Sequence, residues 1–447
     1  MLEIIHRLKR DSITRNKLLM TIGILFLISI GYHIPLPGIN MDYVQMMNTL
    51  LASSGASGFI GMMTGGSMKR MSIFALSITP YITASILLQL LSIVSPRLQA
   101  IQKDGSVGKQ KMSRLTYALG AVVAIIESLI LAIGLGRNGL FINYTWYVIL
   151  YVTIIWTIGA CFLMWIGQTI TDKLIGNGTS LLLLFNILAT LPTDMVNIFN
   201  SLSQDRNVLI KVFVLIAMIV VAFLVFAYVV VLDRAEKKIK VSNSAKSGKW
   251  MAGATDNTLP LKLNMGGIMP IIFTSTILSF PVMIAQFMKI ENTSLFGKIA
   301  GCCNQQNWFN LEQPFYTLGV LLFIPMTFGF SYLYSKISFN PKDIADNLRR
   351  SGSVVDGVRP GQPTADYLQK QAMSMLWLGT TMLIVIVLLP IVISGVFNIN
   401  GLSFGGTTIT IIVGTVLEMR NTVNAQTSSV AYKSLIKRGG KPVGKRN

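Results

Sequence analysis

Long, nearly uncharged apolar runs recur along this chain, and they limit its possible folds more than any other feature. A helix needs about 20 mainly apolar residues to cross a bilayer. Ten runs approach that length: residues 18–34, 73–94, 115–135, 146–166, 180–198, 208–232, 267–288, 315–334, 373–396 and 407–419. Each is continuous and lacks a period-two alternation, which points to an all-α helical bundle and away from a membrane barrel. Of the 447 residues, 52% are hydrophobic and only 13% charged, against about 25% charged in ordinary soluble domains. So little polar surface cannot cover a chain of this size in water. No small-residue cleavage pattern follows the first run, which therefore reads as a span and not as a removable signal.

The charges between the runs give an orientation. The net charge is +20, which in a soluble protein would point to nucleic acid. Here the basic residues alternate between poor and rich connections. With the N-terminus inside, only Lys69, Arg70, Arg137, Arg206, Lys211, Lys289 and Lys298 of the 38 basic residues fall outside. That asymmetry follows the positive-inside rule and predicts ten spans with both ends in the cytoplasm. The resulting organisation is a cytoplasmic N-terminus at 1–17, an N-terminal half at 18–207, a C-terminal half at 208–420 and a basic tail at 421–447. The C-terminal half carries long polar loops at about 233–264 and 337–371.

Two features suggest a path through such a bundle. Between the first two runs lie Ser53, Ser54, Gly55, Gly58, Gly61, Gly65 and Gly66, set around Phe59, Ile60, Met62 and Met63. This stretch is too short to span and too apolar for an ordinary loop. Irregular backbone at membrane depth is tolerated only inside protein or beside a water-filled cavity. It reads as a re-entrant segment or as an amphipathic surface helix. There is also a weak repeat. Residues 78–88 read Ile-Thr-Pro-Tyr-Ile-Thr-Ala-Ser-Ile-Leu-Leu, and 268–278 read Ile-Met-Pro-Ile-Ile-Phe-Thr-Ser-Thr-Ile-Leu. Five of these eleven positions are identical. The two runs are five spans apart, so they would face opposite ways, as inverted repeats do. Chance similarity between apolar segments is the other reading.

Chemical machinery is sparse. The chain has no paired histidines on a helix, no phosphate-cradling glycine loop with lysine, and no serine elbow. His6 and His33 stand far apart, and Cys161, Cys302 and Cys303 form no metal pattern, so neither a cofactor nor a metal is expected. Membrane-embedded acids are limited to Glu127 and Glu418, and a proton-coupled transporter would need more. Glu127 is expected to pair with a polar neighbour at a helix interface. Gln89, Gln168 and Asn186 are candidates for bonds across helices.

Several segments together resemble the SecY family of protein-export channels. They are Leu259-Pro-Leu-Lys262-Leu-Asn264-Met-Gly-Gly running into Pro270-Ile-Ile-Phe273, Pro80-Tyr-Ile-Thr-Ala-Ser-Ile followed by Gln89-Leu-Leu, and Gly176-Asn-Gly178-Thr-Ser. The most specific is Asn340-Pro-Lys-Asp-Ile-Ala-Asp-Asn-Leu-Arg-Arg350, with Gly357-Val-Arg359-Pro-Gly361-Gln-Pro-Thr364-Ala-Asp-Tyr367 after it. In the loop at 233–264 the family's usual basic-Ile-Pro-x-x-Tyr-Ala pattern reads Lys238-Ile-Lys240-Val-Ser-Asn-Ser244-Ala, without the proline and tyrosine.

The resemblance implies two inverted five-helix halves around an hourglass pore with a lateral gate. It places a pore ring at Ile78, Ile82, Leu183, Ile187, Ile272 and Ile411, and gate residues at Gln89 and Thr274. The stretch 57–68, with Phe59, Ile60, Met62 and Met63, would be the plug of the closed pore. Arg349, Arg350, Arg359, Lys237 and Lys238 would dock a motor or a ribosome. Implied partners are SecE-like and SecG-like small membrane subunits, the SecA motor ATPase, the ribosome, signal peptides, unfolded polypeptides and membrane lipid. The setting would be the bacterial cytoplasmic membrane. A secondary transporter built from inverted repeats is the alternative, and a structural membrane scaffold a third.

Overall fold

The computed structural model describes residues 12–53, 61, 63–202, 208–243, 257–288, 290, 294–309, 314–397 and 406–439. The chain is mostly helical. In order come α1 (Ser12–Tyr32), α2 (Met41–Ser53), α3 (Thr79–Val94), α4 (Pro96–Lys103), α5 (Gly105–Arg137), α6 (Trp146–Lys173), α7 (Gly178–Leu202) and α8 (Val208–Arg234). The strands β1 (Glu236–Asn243) and β2 (Asn257–Lys262) follow. Then come α9 (Met269–Phe287), α10 (Leu295–Cys303), α11 (Leu318–Ser338), α12 (Pro341–Arg350), β3 (Ser353–Val355), α13 (Gln362–Phe397) and α14 (Gly406–Gly439).

A helix covers each of the ten apolar runs. Among the described residues, five helices are long and apolar enough to cross a membrane alone. A sixth arises if α3 and the segment after it, bent by 110°, count as one span. The apolar helices Gly178–Thr193 and Met269–Ala285 are shorter than that. Helix α2 was not expected from the sequence. Nor was the three-stranded sheet, which departs from an all-α reading.

The described residues fall into two compact units. The first lies within Met1–Asn197 and Thr415–Asn447, the second within Ile198–Gly414. In the first, α5 packs against α3 on one side and α6 on the other. Glycines let these elements approach closely: a side chain at Gly120 would strike Met164, and one at Gly159 would strike the Ile73 carbonyl and Phe74. Outward faces of α1, α5 and α6 expose Phe26, Leu27, Val122, Ile126, Ile154 and Ile158. Such a surface is stable only in an apolar surrounding.

In the second unit, α9 packs on α11, and α13 on α8 and α11. After Leu295–Cys303, Trp308 is wholly buried, packs at a tilt of 56° against the Phe323 ring and donates from its indole Nε1 to the Cys302 carbonyl at 2.7 Å. Burial pushes the Cys302 and Cys303 thiols above the ordinary cysteine value, which keeps them in the unreactive thiol form.

Candidate functional site

Between α2 and α3 the chain abandons regular structure but not burial. Residues 63–68 are buried, as are Met71, Ser72 and Ala75 to Ile78. Backbone groups without a helix or sheet must find partners individually; some bond to nearby backbone, as the Ser72 amide does to the Ser67 carbonyl at 3.0 Å, and side chains supply others. Ser67 Oγ donates to the Thr64 carbonyl at 2.6 Å and to the Phe74 carbonyl at 2.9 Å. Trp156 Nε1, on α6, donates to the Ser72 carbonyl at 3.1 Å. Asn48 Nδ2, on α2, donates to the Lys69 carbonyl at 2.8 Å. Asn186 Nδ2, on α7, donates to the Met63 carbonyl at 2.8 Å and to Ser77 Oγ at 2.9 Å. The buried Tyr32 hydroxyl faces Ser77 and Asn186 without completing a hydrogen bond to either.

Backbone shape follows from the same crowding. Gly65 and Gly66 take φ of +63° and +75°, which only glycine adopts freely. A Cβ on Gly65 would also lie 2.8 Å from Asn186 Oδ1. Met71 and Ser77 take φ of +47° and +49° without being glycine.

The six ring candidates are all buried. Ile78 caps α3, and Ile82 sits one turn later, its amide bonded to the Ile78 carbonyl at 3.2 Å. Leu183 and Ile187 lie one turn apart on α7, on either side of Asn186 in sequence. Ile272 is in the first turn of α9, and Ile411 is on α14. Of the plug candidates, Met63 is buried, while Phe59, Ile60 and Met62 lie outside the described residues.

The polar positions singled out in the sequence meet different fates. Gln89 donates to Ser85 Oγ of its own helix at 3.3 Å, and among the described residues it makes no hydrogen bond across helices. Thr274 is wholly buried and accepts from Thr327 Oγ1 of α11 at 3.4 Å. Glu127 accepts from Thr83 Oγ1 of α3 at 3.2 Å, an interface pairing of the expected kind. Gln168 accepts from Ser113 Oγ across α5 and α6 at 3.1 Å.

The docking candidates gather in the second unit. Strand β1 is central in the order β2-β1-β3, antiparallel to both neighbours. Period-two alternation buries Ile239 and Leu261 and exposes Lys238, Lys240, Pro260 and Lys262. Pro260 is tolerated because β2 is an edge strand. Ile239, Leu261, Val355 and Leu368 form a core, closed by Phe339, Ile344, Leu348 and Tyr367. Helix α12 is capped by Asn340, whose side chain accepts from the Lys342 amide at 3.2 Å. Its last turn holds Arg349 and Arg350, both exposed, where cations suit the helix dipole. Arg359 is also exposed, in a turn between Gly357 and Gly361 at φ of +77° and +100°. The Thr364 hydroxyl holds its carbonyl at 2.7 Å. Lys237 and Lys238 are exposed as well, with Lys237 Nζ donating to Gln371 Oε1 at 2.7 Å.

The family model described as SecY matches residues 72–420. The chain belongs to the SecY family. A relative named protein translocase subunit SecY, from Streptomyces coelicolor, is 33% identical over 439 residues, covering 95% of this chain and 97% of that one. The Escherichia coli K12 protein of the same name is 35% identical over 436 residues, covering 95% and 94%. Two solved structures share the fold. One is described as the structure of a protein conducting channel, with a TM-score of 0.64, 18% identity and 92% of both chains covered. The other is Sec61 in the canine ribosome-channel complex, with a TM-score of 0.63, 17% identity and the same coverage. SecY membership also fits the several long apolar helices of a multi-pass membrane protein.

Sequence reasoning missed Ser77 and Trp156 as holders of the buried segment. A left-handed serine leaves no composition signal. The repeat carried a hint, because Ser77 aligns with Gly267.

Proposed function

We propose that this chain is the pore-forming subunit of a protein translocase, passing unfolded polypeptides across the bacterial cytoplasmic membrane and releasing apolar helices sideways into lipid. The observation that carries the reading is the buried irregular segment ending at Ile78. Backbone of this kind is stable at membrane depth only within protein or beside a cavity. It leads directly into the first ring candidate of a SecY-family chain. For one protein of this fold, the plug domain of SecY is described as stabilising the closed state of the translocation channel and maintaining a membrane seal.

In this proposal ten spans form two inverted halves with both termini in the cytoplasm. Ile78, Ile82, Leu183, Ile187, Ile272 and Ile411 form the constriction. Branched apolar side chains shed water and block ions, yet impose no hydrogen-bond pattern on a passing chain. Residues 57–68 are the plug, and Gln89 and Thr274 border the lateral gate. A signal peptide's apolar helix partitions into lipid through that gate, favoured by about 0.8 kcal/mol per buried methylene.

The exposed cations Lys237, Lys238, Arg349, Arg350 and Arg359 are the docking face for a SecA-like motor or a ribosome. The fold shared with a channel in a ribosome complex supports the ribosome. Arginine's planar fork suits carboxylates and carbonyls better than lysine does. SecE-like and SecG-like small subunits complete the assembly.

Cysteines placed singly at the six ring positions test the central claim. Each should crosslink to a stalled secretory precursor; a folded protein in which none does would sink it. Ile82→Asn and Ile411→Asn should each let a precursor with a defective signal peptide be exported.

A further inference from the structure

The two repeated segments begin their helices alike, with one difference. Ser77 and Gly267 occupy equivalent positions and both have left-handed backbone, φ +49° and +60°. Each is followed by isoleucine, one further residue and proline. The Ile78 carbonyl accepts from the Tyr81 and Ile82 amides, and the Ile268 carbonyl from those of Ile271 and Ile272, all at 3.1–3.2 Å. Glycine enters this conformation freely, whereas a side chain meets its own backbone there. A residue held in such a region persists only when its surroundings over-determine it.

Asn186 is what surrounds it. Its wholly buried amide donates to Ser77 Oγ and, at the far end of the same segment, to the Met63 carbonyl. Its Oδ1 rests against Gly65, where nothing larger than glycine would fit. One side chain thus fastens both ends of residues 63–77. It also adjoins Ile187 and stands one helical turn from Leu183, two candidates for the constriction.

We infer that Asn186 is a latch that holds the seal closed, coupling the position of the 63–77 segment to the constriction helix α7. The strained backbone at Ser77 is biased towards release, and the Asn186 amide opposes that bias. Movement of α7 outward withdraws the amide from the Met63 carbonyl and Ser77 Oγ together, so constriction and seal open as one event. The inference rests on reading 57–68 as the plug.

The test is resting chloride efflux from proteoliposomes holding the full chain with its co-purified membrane subunits. Four variants are compared: Asn186→Ala, Ser77→Ala, Ser77→Gly and deletion of 57–67. Losing the two buried hydrogen bonds should shift the closed equilibrium by roughly tenfold, so Asn186→Ala should leak about tenfold faster than the parent chain. Ser77→Ala keeps the strain and loses an acceptor, so it should leak more than Ser77→Gly, which removes both. A mere folding defect at position 186 would not produce that order at position 77. Two results overturn the latch. If the deletion leaks but Asn186→Ala and Ser77→Ala stay as tight as the parent, the latch fails and the plug survives. If the deletion itself is tight, the plug reading falls and takes the latch with it.

Discussion

The buried segment at 63–78 and the charged sheet at 236–262 and 353–355 solve opposite problems. The sheet is organised as a water-soluble domain is: apolar Ile239, Leu261, Val355 and Leu368 inside, lysines and arginines outside. Its backbone is satisfied by strand pairing, and its stability comes from excluding water. The segment at 63–78 sits among apolar neighbours, where burying carbon gains little and an unpaired peptide group is expensive. Its order comes instead from short backbone turns, from Ser67, Trp156, Asn48 and Asn186 reaching backbone atoms, and from glycines that let the chain turn. Apolar contacts hold the sheet; hydrogen bonds hold the segment.

This contrast can be broken by mutation. The largest effect should come from Leu368→Ala in the sheet core, which should cost about 2–5 kcal/mol locally. Limited proteolysis within 236–262 would read it as faster cleavage, and an unchanged cleavage rate would contradict the apolar account. Next is Gly65→Val, which forces a β-branched residue into φ +63° against Asn186. A cost of roughly 1–3 kcal/mol is expected, visible as a lower melting temperature of the purified protein. Smaller is Trp156→Phe, which keeps the ring but removes the donor to the Ser72 carbonyl. About 1 kcal/mol should be lost, detectable as faster hydrogen exchange near Ser72. The smallest stability effect belongs to Arg359→Ala. The side chain is exposed, so melting should not move, while motor-driven export should fall in a vesicle assay. A drop in melting temperature would show that Arg359 has a structural role instead.

The contrast also explains what was legible in the sequence. Helices over 115–135 and 146–166 announced themselves because a membrane span needs unbroken apolar length. The loop carrying Arg359 was readable through its resemblance to the SecY family, and its Gly357, Gly361 and Thr364 serve one tight turn. The hairpin at 236–262 was hidden. Its strands are short, its buried positions are few, and lysines fill the alternate ones. The buried segment was half visible: glycine and apolarity gave its place, but partners such as Trp156 with Ser72 and Asn186 with Ser77 come from distant parts of the chain. Helix α2 was missed because nothing in its composition separates a surface helix from a loop.

Strand β1 pairs with β3, residues more than a hundred positions further along the chain. It emerges directly from α8, with the Ala235 amide still bonded to the Val231 carbonyl at 2.9 Å. Its partner β2 passes the chain to α9, and β3 stands just before α13. A load applied anywhere on this sheet is therefore shared among three long helices, like a push on a door's crossbar and not on a single plank. A pull on one strand is a pull on the whole frame.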